Sequence, residues 1–312
     1  MPTFSKSNLL IIGSFAAIYF IWGSTYLAAA YAMDELPPFI LIGSRFTLAG
    51  VILGSATYLW SKKQPITSRQ LRNAIFAGIL MLGFGAGLTF WSVQYLDTGL
   101  IALIIAAQPL ILILMIWVLQ HKKPTAQAYI GIFLGMTGMY FLMNQDILIT
   151  TTRQWIGVLF IFLSMLAWGY GTLLVNKGDM PKPHGINSAI QMITGGVFLL
   201  VVSFFFEDHS SLDITALQST TWLAIGYLVF FGSIIAFSAF NYLLTKVSPE
   251  KVSTSTYVNP VVAMFLGWFF RDELITSQSI FAAAIMLTGV FFINMKPEYP
   301  KQIIKRFRKI SR

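Results

Sequence analysis

Residues 7–33 read SNLLIIGSFAAIYFIWGSTYLAAAYAM, a run without a single Lys, Arg, Asp, Glu or His. A helix needs about 20 mostly apolar residues to cross the hydrocarbon of a bilayer, so this run is long enough to be a membrane span. It is too long for a cleavable signal peptide, and no small-residue cleavage site separates it from the rest of the chain, so it is expected to stay as an anchor. Charged residues cut the remaining sequence into similar lengths. The uncharged runs are Asn73–Leu96, Thr98–Gln120, Pro124–Gln145, Gln154–Asn176, Gly185–Phe206, Ile214–Thr245, Val252–Phe270 and Leu274–Met295. The run Leu36–Ser61 is equally apolar but carries Arg45, and the polar start of Ile214–Thr245 places its helix from about Thr221. The expected fold is therefore an all-α integral membrane protein of ten transmembrane helices.

Composition agrees. The 312 residues are 56% hydrophobic and 11% charged, against roughly 25% charged in soluble domains. There is no cysteine, which excludes disulfides, thiolate zinc sites and cysteine nucleophiles. The formal charge of +9 could suggest nucleic acid, but its placement argues for topology instead. With the N-terminus in the cytoplasm, every Lys and Arg except Arg45, Arg153 and Arg271 falls on that side. Asp34, Glu35, Asp97, Asp146, Glu207, Asp208, Asp213, Asp272 and Glu273 fall on the other. The positive-inside rule then puts both termini in the cytoplasm. It also makes residues 296–312 a basic cytoplasmic tail, suited to anionic lipid headgroups.

The chain repeats itself. The offset that carries Trp22-Gly23 to Trp168-Gly169 also carries Pro37 to Pro183 and Gly50 to Gly196, and sets Arg45 opposite Gln191. Further on, Gln94-Tyr95-Leu96 matches Asn241-Tyr242-Leu243, Gln108-Pro109 matches Asn259-Pro260, and Gly138 matches Gly289. The copies are 9–143 (helices one to five) and 155–294 (helices six to ten). Five is odd, so the second copy must enter the membrane from the opposite side. Its loops agree: His121-Lys122-Lys123 aligns with Asp272-Glu273-Leu274, and the basic loop after helix two with the acidic loop Glu207–Asp213. Inverted repeats of this kind are characteristic of secondary transporters, which alternate access between two sides of a midplane site.

Candidate site residues come from the pairs. Pro109 and Pro260 are expected to kink helices four and nine, because proline lacks an N–H and clashes with the carbonyl four residues back. Each is preceded by a carboxamide, Gln108 and Asn259. These amides either form a central polar site or bond the freed backbone of their own or a neighbouring helix. Trp22 and Trp168 lie mid-helix, where interfacial anchoring does not explain them. With Ser24, Tyr26 and Tyr170 they either wall a cavity or pack helices one and six. Gln94 and Asn241 are expected to reach the same cavity. Arg45 is the sole charge well inside a span, which is functional by default: it contacts substrate or a gate, or it snorkels to the outer headgroups. Asp97 and Glu273, near helix ends, are the candidates for proton coupling.

Other chemistries lack their parts. No Asp, Glu or His lies mid-span, no Walker-type loop is present, and no His/carboxylate cluster suggests a metal. An enzyme, a cofactor, a bound metal and a nucleic-acid partner are not expected. The expected partners are a small-molecule substrate and membrane lipid, with a homodimer left open.

The motif Ile21-Trp22-Gly23-Ser24-Thr25-Tyr26, the Pro37-Pro38 turn and Arg45-Phe46 resemble the opening of the EamA-type transporters of the drug/metabolite transporter superfamily. Tyr257-Val258-Asn259-Pro260-Val261-Val262-Ala263, followed by Glu273 and Gly289-Val290, resembles that family's close. The resemblance implies the ten-helix inverted-repeat fold, a bacterial inner-membrane location, and export of amino acids, related metabolites or toxic compounds. His121-Lys122-Lys123 departs from the pattern, standing where the family often has an acidic end to helix four. The expected function is secondary export of a small amphipathic metabolite by alternating access. A nucleotide-sugar or drug carrier of the same fold is the alternative, and a membrane scaffold without transport a third reading.

Overall fold

A computed structural model describes residues 6–61, 64–96, 101, 104–142, 151–210, 212–271 and 275–294. Among them the regular structure is helical, with no strand. The principal helices are α1 (Ser7–Met33), α2 (Pro38–Trp60), α3 (Ser68–Gln94), α4 (Gln108–Gln120), α5 (Ala126–Leu142), α6 (Thr152–Lys177), α7 (His184–Phe206), α8 (Ser219–Leu244), α9 (Ser255–Arg271) and α10 (Ser277–Asn294). Seven of these, α1, α2, α3, α6, α7, α8 and α10, are long and apolar enough to cross a membrane, while α4 and α5 are shorter apolar helices. Large apolar side chains stand on the outside of the bundle, among them Trp60, Phe204, Leu223 and Phe269. A soluble surface rarely tolerates such patches; a lipid-facing one requires them.

Local chemistry sets the ends. α3 begins before the uncharged run does, because Thr67 and Gln70 form a reciprocal capping box; Thr151 and Gln154 do the same for α6. Three helices contain π-helical segments, Ala17–Ile21 in α1, Ile79–Ala86 in α3 and Leu228–Ile235 in α8. A π segment widens the turn and frees backbone carbonyls for other partners.

The helices pair across the two halves of the chain. α2 lies along α7 and α5 along α10; α1 packs on α8 and α9, and α6 on α3 and α4. One core joins α1, α2, α3, α7 and α8 around Ile18, Met81, Met192 and Phe237; a second joins α4, α5, α9 and α10 around Ile113, Met139, Tyr257 and Met286. The α2/α7 and α5/α10 contacts run through small residues. A Cβ on Gly196 would lie 2.6 Å from the Thr47 backbone nitrogen and 2.7 Å from the Gly43 carbonyl oxygen; one on Gly289 would lie 2.6 Å from the Gly131 carbonyl oxygen. Backbone cannot yield as a side chain does. Gly196→Leu is therefore expected to destabilise the protein by at least about 1–3 kcal/mol, the usual range for overpacking. A thermal unfolding curve in detergent checks this, and an unchanged midpoint would contradict the α2/α7 contact.

Candidate functional site

The two repeat-related tryptophans meet. The Trp22 and Trp168 ring centroids are 6.2 Å apart, edge to face, and both rings pack on Phe240, at 5.2 and 5.7 Å. Both tryptophans keep partial exposure. The Trp22 indole donates to the Gly232 carbonyl at 3.1 Å, inside the π segment of α8. Ser24 donates to the Ile21 carbonyl at 2.7 Å and shares a 2.5 Å bond with the Tyr227 hydroxyl. α1 is thereby fastened to α8 through aromatic and hydroxyl groups near mid-span.

The two carboxamides act as matched ties between helices. Gln108 of α4 donates to the Met165 carbonyl of α6 at 3.3 Å. The Asn259 amide of α9 sits among the carbonyls of Ile18, Tyr19 and Ser255 at 3.0–3.1 Å, so its NH2 faces them. Tyr19 and Met165 are related by the same offset as Trp22 and Trp168. Both amides are buried. In α1 the carbonyls concerned belong to the π segment, which explains why they need an outside donor. Both amides bond helix backbone.

Arg45 does not snorkel. Its side chain is 9% exposed, its Nε donates to Ser233 Oγ at 2.9 Å, and its guanidinium lies 4.8 Å from the Phe46 ring centroid. It points across to the π segment of α8 because Gly232, without a side chain, leaves room: a Cβ there would meet Arg45 Nη2 at 3.3 Å. Among the described residues no carboxylate pairs with it.

Other expectations need correction. Pro260 lies inside α9, but Pro109 does not kink a helix interior. The chain turns at Ala106-Ala107 and α4 restarts at Gln108, so Pro109 takes the first turn, where a missing N–H is harmless. Tyr170 is 51% exposed and faces outward: two residues on from Trp168 is about 200° around a helix. Gln94 is exposed at the end of α3, where a 3-10 turn closes the helix, and its carbonyl accepts from Arg153 Nη2 at 3.0 Å. Asn241 is buried and donates to the Phe237 carbonyl at 3.3 Å, with its own side-chain oxygen unpartnered. The Tyr26 side chain, Asp97, Glu273 and the tail 296–312 lie outside the described residues. Sequence reasoning missed Phe240, Tyr227 and Ser233. Phe240 adjoins the Asn241-Tyr242 match, a signal that could have found it; the other two have none.

The two ends of the bundle differ. At the carboxylate-bearing end, Glu207 accepts from the backbone N–H groups of Phe39 (2.7 Å) and Ile40 (3.1 Å), capping α2 in place of a side chain of its own. Glu35 likewise accepts from the Gln218 N–H at 3.1 Å and from the Thr221 hydroxyl at the start of α8. At the lysine-bearing end, Asp179 after α6 accepts from Gln70 of α3 at 2.9 Å, the counterpart of the Glu35 tie. Where the counterpart of the Glu207 tie would fall, a void of about 120 Å³ lies between Tyr58, Ser61 and Pro183. A larger cavity of about 530 Å³ opens at the same end, between α4, the start of α5, the end of α6, residues 245–251 that lead from α8 to α9, and the end of α10. Sequence reasoning did not foresee it. Its lysines were already accounted for by topology.

A profile of the EamA-like transporter family matches residues 9–144 and again residues 155–295. This chain belongs to the EamA-like transporter family. It is 31% identical over 301 residues to an "Uncharacterized inner membrane transporter YedA" of Escherichia coli K12, covering 94% of this chain and 95% of that protein. It is 26% identical over 280 residues to an "Uncharacterized transporter YoaV" of Bacillus subtilis, covering 88% and 93%. A crystal structure with 16% identity superposes with a TM-score of 0.77 over 91% of this chain and 97% of the other, a likeness of fold alone.

Proposed function

We propose that the chain is a secondary carrier that exports a small amphipathic metabolite, an amino acid or related compound, by alternating access. In this reading it has ten membrane helices in two inverted five-helix repeats, sits in a bacterial inner membrane, and keeps both termini in the cytoplasm. The interchanged pairing supports the repeats: α1 with α8 and α9 mirrors α6 with α3 and α4. The lysine end is then cytoplasmic, by the positive-inside rule.

The observation that carries the reading is the inequality of two otherwise equivalent ends. The outer end is held by the carboxylates of Glu35 and Glu207, while the inner end, bridged by Gln70 to Asp179 and by Asn176 to the Leu244 carbonyl, opens into a cavity. A cavity open at the inner end, with carboxylate caps holding helix starts at the outer end, supports an inward-facing carrier. The Trp22/Trp168/Phe240 cluster and the two amide ties lie between the ends, where alternating access needs its moving contacts.

Counterflow in liposomes tests the proposal. Purified protein is expected to give saturable exchange of one compound from a panel of labelled amino acids, measured with and without a pH gradient. Dependence on the gradient would turn attention to Asp97 and Glu273. Folded protein that exchanges no amino acid, drug or nucleotide sugar would overturn it.

A further inference from the structure

We propose that the 530 Å³ cavity binds the phosphate group of a small anion, so that the solute admitted from the inner side is anionic. The inference rests on the cavity being the open mouth of a carrier. The volume lies within the roughly 300–1,000 Å³ usual for small-molecule sites. Its walls carry Lys122 and Lys123 after α4, Lys177 at the end of α6, Lys246 after α8 and Lys251 before α9, against one carboxylate, Glu250. Helix dipoles favour a cation near each helix C-terminus, and topology puts those cations on this side. Neither explains why they converge on one concavity. Arg69 and Arg72, at the same end, do not line it.

Among the described residues the lysines have few partners. Lys251 makes one long contact, 3.4 Å to the Asn294 carbonyl, and Lys246 lies 5.6 Å from the Tyr242 ring centroid. None pairs with a carboxylate among the described residues. Like charges held round one void repel each other unless an anion neutralises them. The lining has no arginine, and lysine binds as a compact point charge, a mode that suits phosphate. Deeper in the bundle Arg45, the one buried charge among the described residues, is again positive and has no carboxylate partner among them. A cationic solute therefore meets repulsion at the mouth and within.

The phosphate could come from a free phosphorylated metabolite or from an anionic lipid headgroup reaching between the helices. Protein in nanodiscs of neutral phosphatidylcholine is titrated with pyrophosphate, reading tryptophan fluorescence. Saturable binding is expected, with the half-saturating concentration raised about tenfold in K122Q/K123Q and lowered in E250Q. That gain is one that misfolding cannot imitate. R69Q/R72Q, which removes the same charge from the same end, is expected to bind as the unmodified protein does. No saturable binding, or equal weakening in R69Q/R72Q, would overturn the inference. Competition by added phosphatidylglycerol would assign the site to a lipid headgroup; lack of competition assigns it to a free solute. Counterflow of a zwitterionic amino acid that persists in K122Q/K123Q would leave the carrier standing even if the anion site fell.

Discussion

Replacing Gln108 and Asn259 together by leucine is expected to abolish exchange in liposomes while the protein still assembles. Each amide supplies the N–H groups for carbonyls on a facing helix, Met165 for Gln108 and the Ile18 and Tyr19 carbonyls for Asn259. An inter-helix hydrogen bond of this kind contributes about 0.6–2 kcal/mol in a membrane, so the pair should lower stability without unfolding a bundle with two extensive cores. The functional loss should be far larger. The α4/α6 and α9/α1 contacts are equivalent across the repeat, and alternating access requires the two halves to exchange arrangements at such contacts. The single variants should each retain part of the flux. Unimpaired exchange in the double variant, with a lowered unfolding temperature, would reduce the amides to structural ties.

Removing the outer ties should open the outer end. Glu35 and Glu207 each cap a helix that starts without a side-chain cap of its own, α8 and α2. A lost cap or hydrogen bond costs about 1 kcal/mol, and both losses fall on the outward-closed state alone. Glu35→Ala with Glu207→Ala is therefore expected to shift the population toward outward-open about thirtyfold. The chain has no cysteine, so a single Thr25→Cys is a clean reporter. In right-side-out vesicles its labelling by an impermeant maleimide should rise many-fold in the alanine background. Unchanged labelling would mean that these carboxylates cap helices and do not hold a gate.

Much of this architecture was legible in the residues. Uncharged runs located the helices, because charge is what hydrocarbon excludes; the doubled Trp-Gly motif located two tryptophans that meet, and the doubled amide-proline motif two separate inter-helix ties. Four things escaped. The π segments of α1, α3 and α8 have no residue signature, yet the one in α1 decides which carbonyls Asn259 must satisfy. The direction of a side chain depends on its angle about the helix, so Tyr170 could not share a face with Trp168 despite their nearness in sequence. Arg45 looked able to snorkel until the facing helix supplied Ser233 and the space beside Gly232. The inner cavity was hidden for another reason: topology alone sufficed to explain its lysines.

The most direct test of alternating access is a pair of distances in one protein. Spin labels at Gln120→Cys and Thr245→Cys span the inner cavity; labels at Asp34→Cys and Ser219→Cys span the Glu35 tie. Passing from the unmodified background to Glu35→Ala/Glu207→Ala, the outer distance should lengthen and the inner one shorten. An outer end that opens while the inner distance stays fixed or grows would contradict the account.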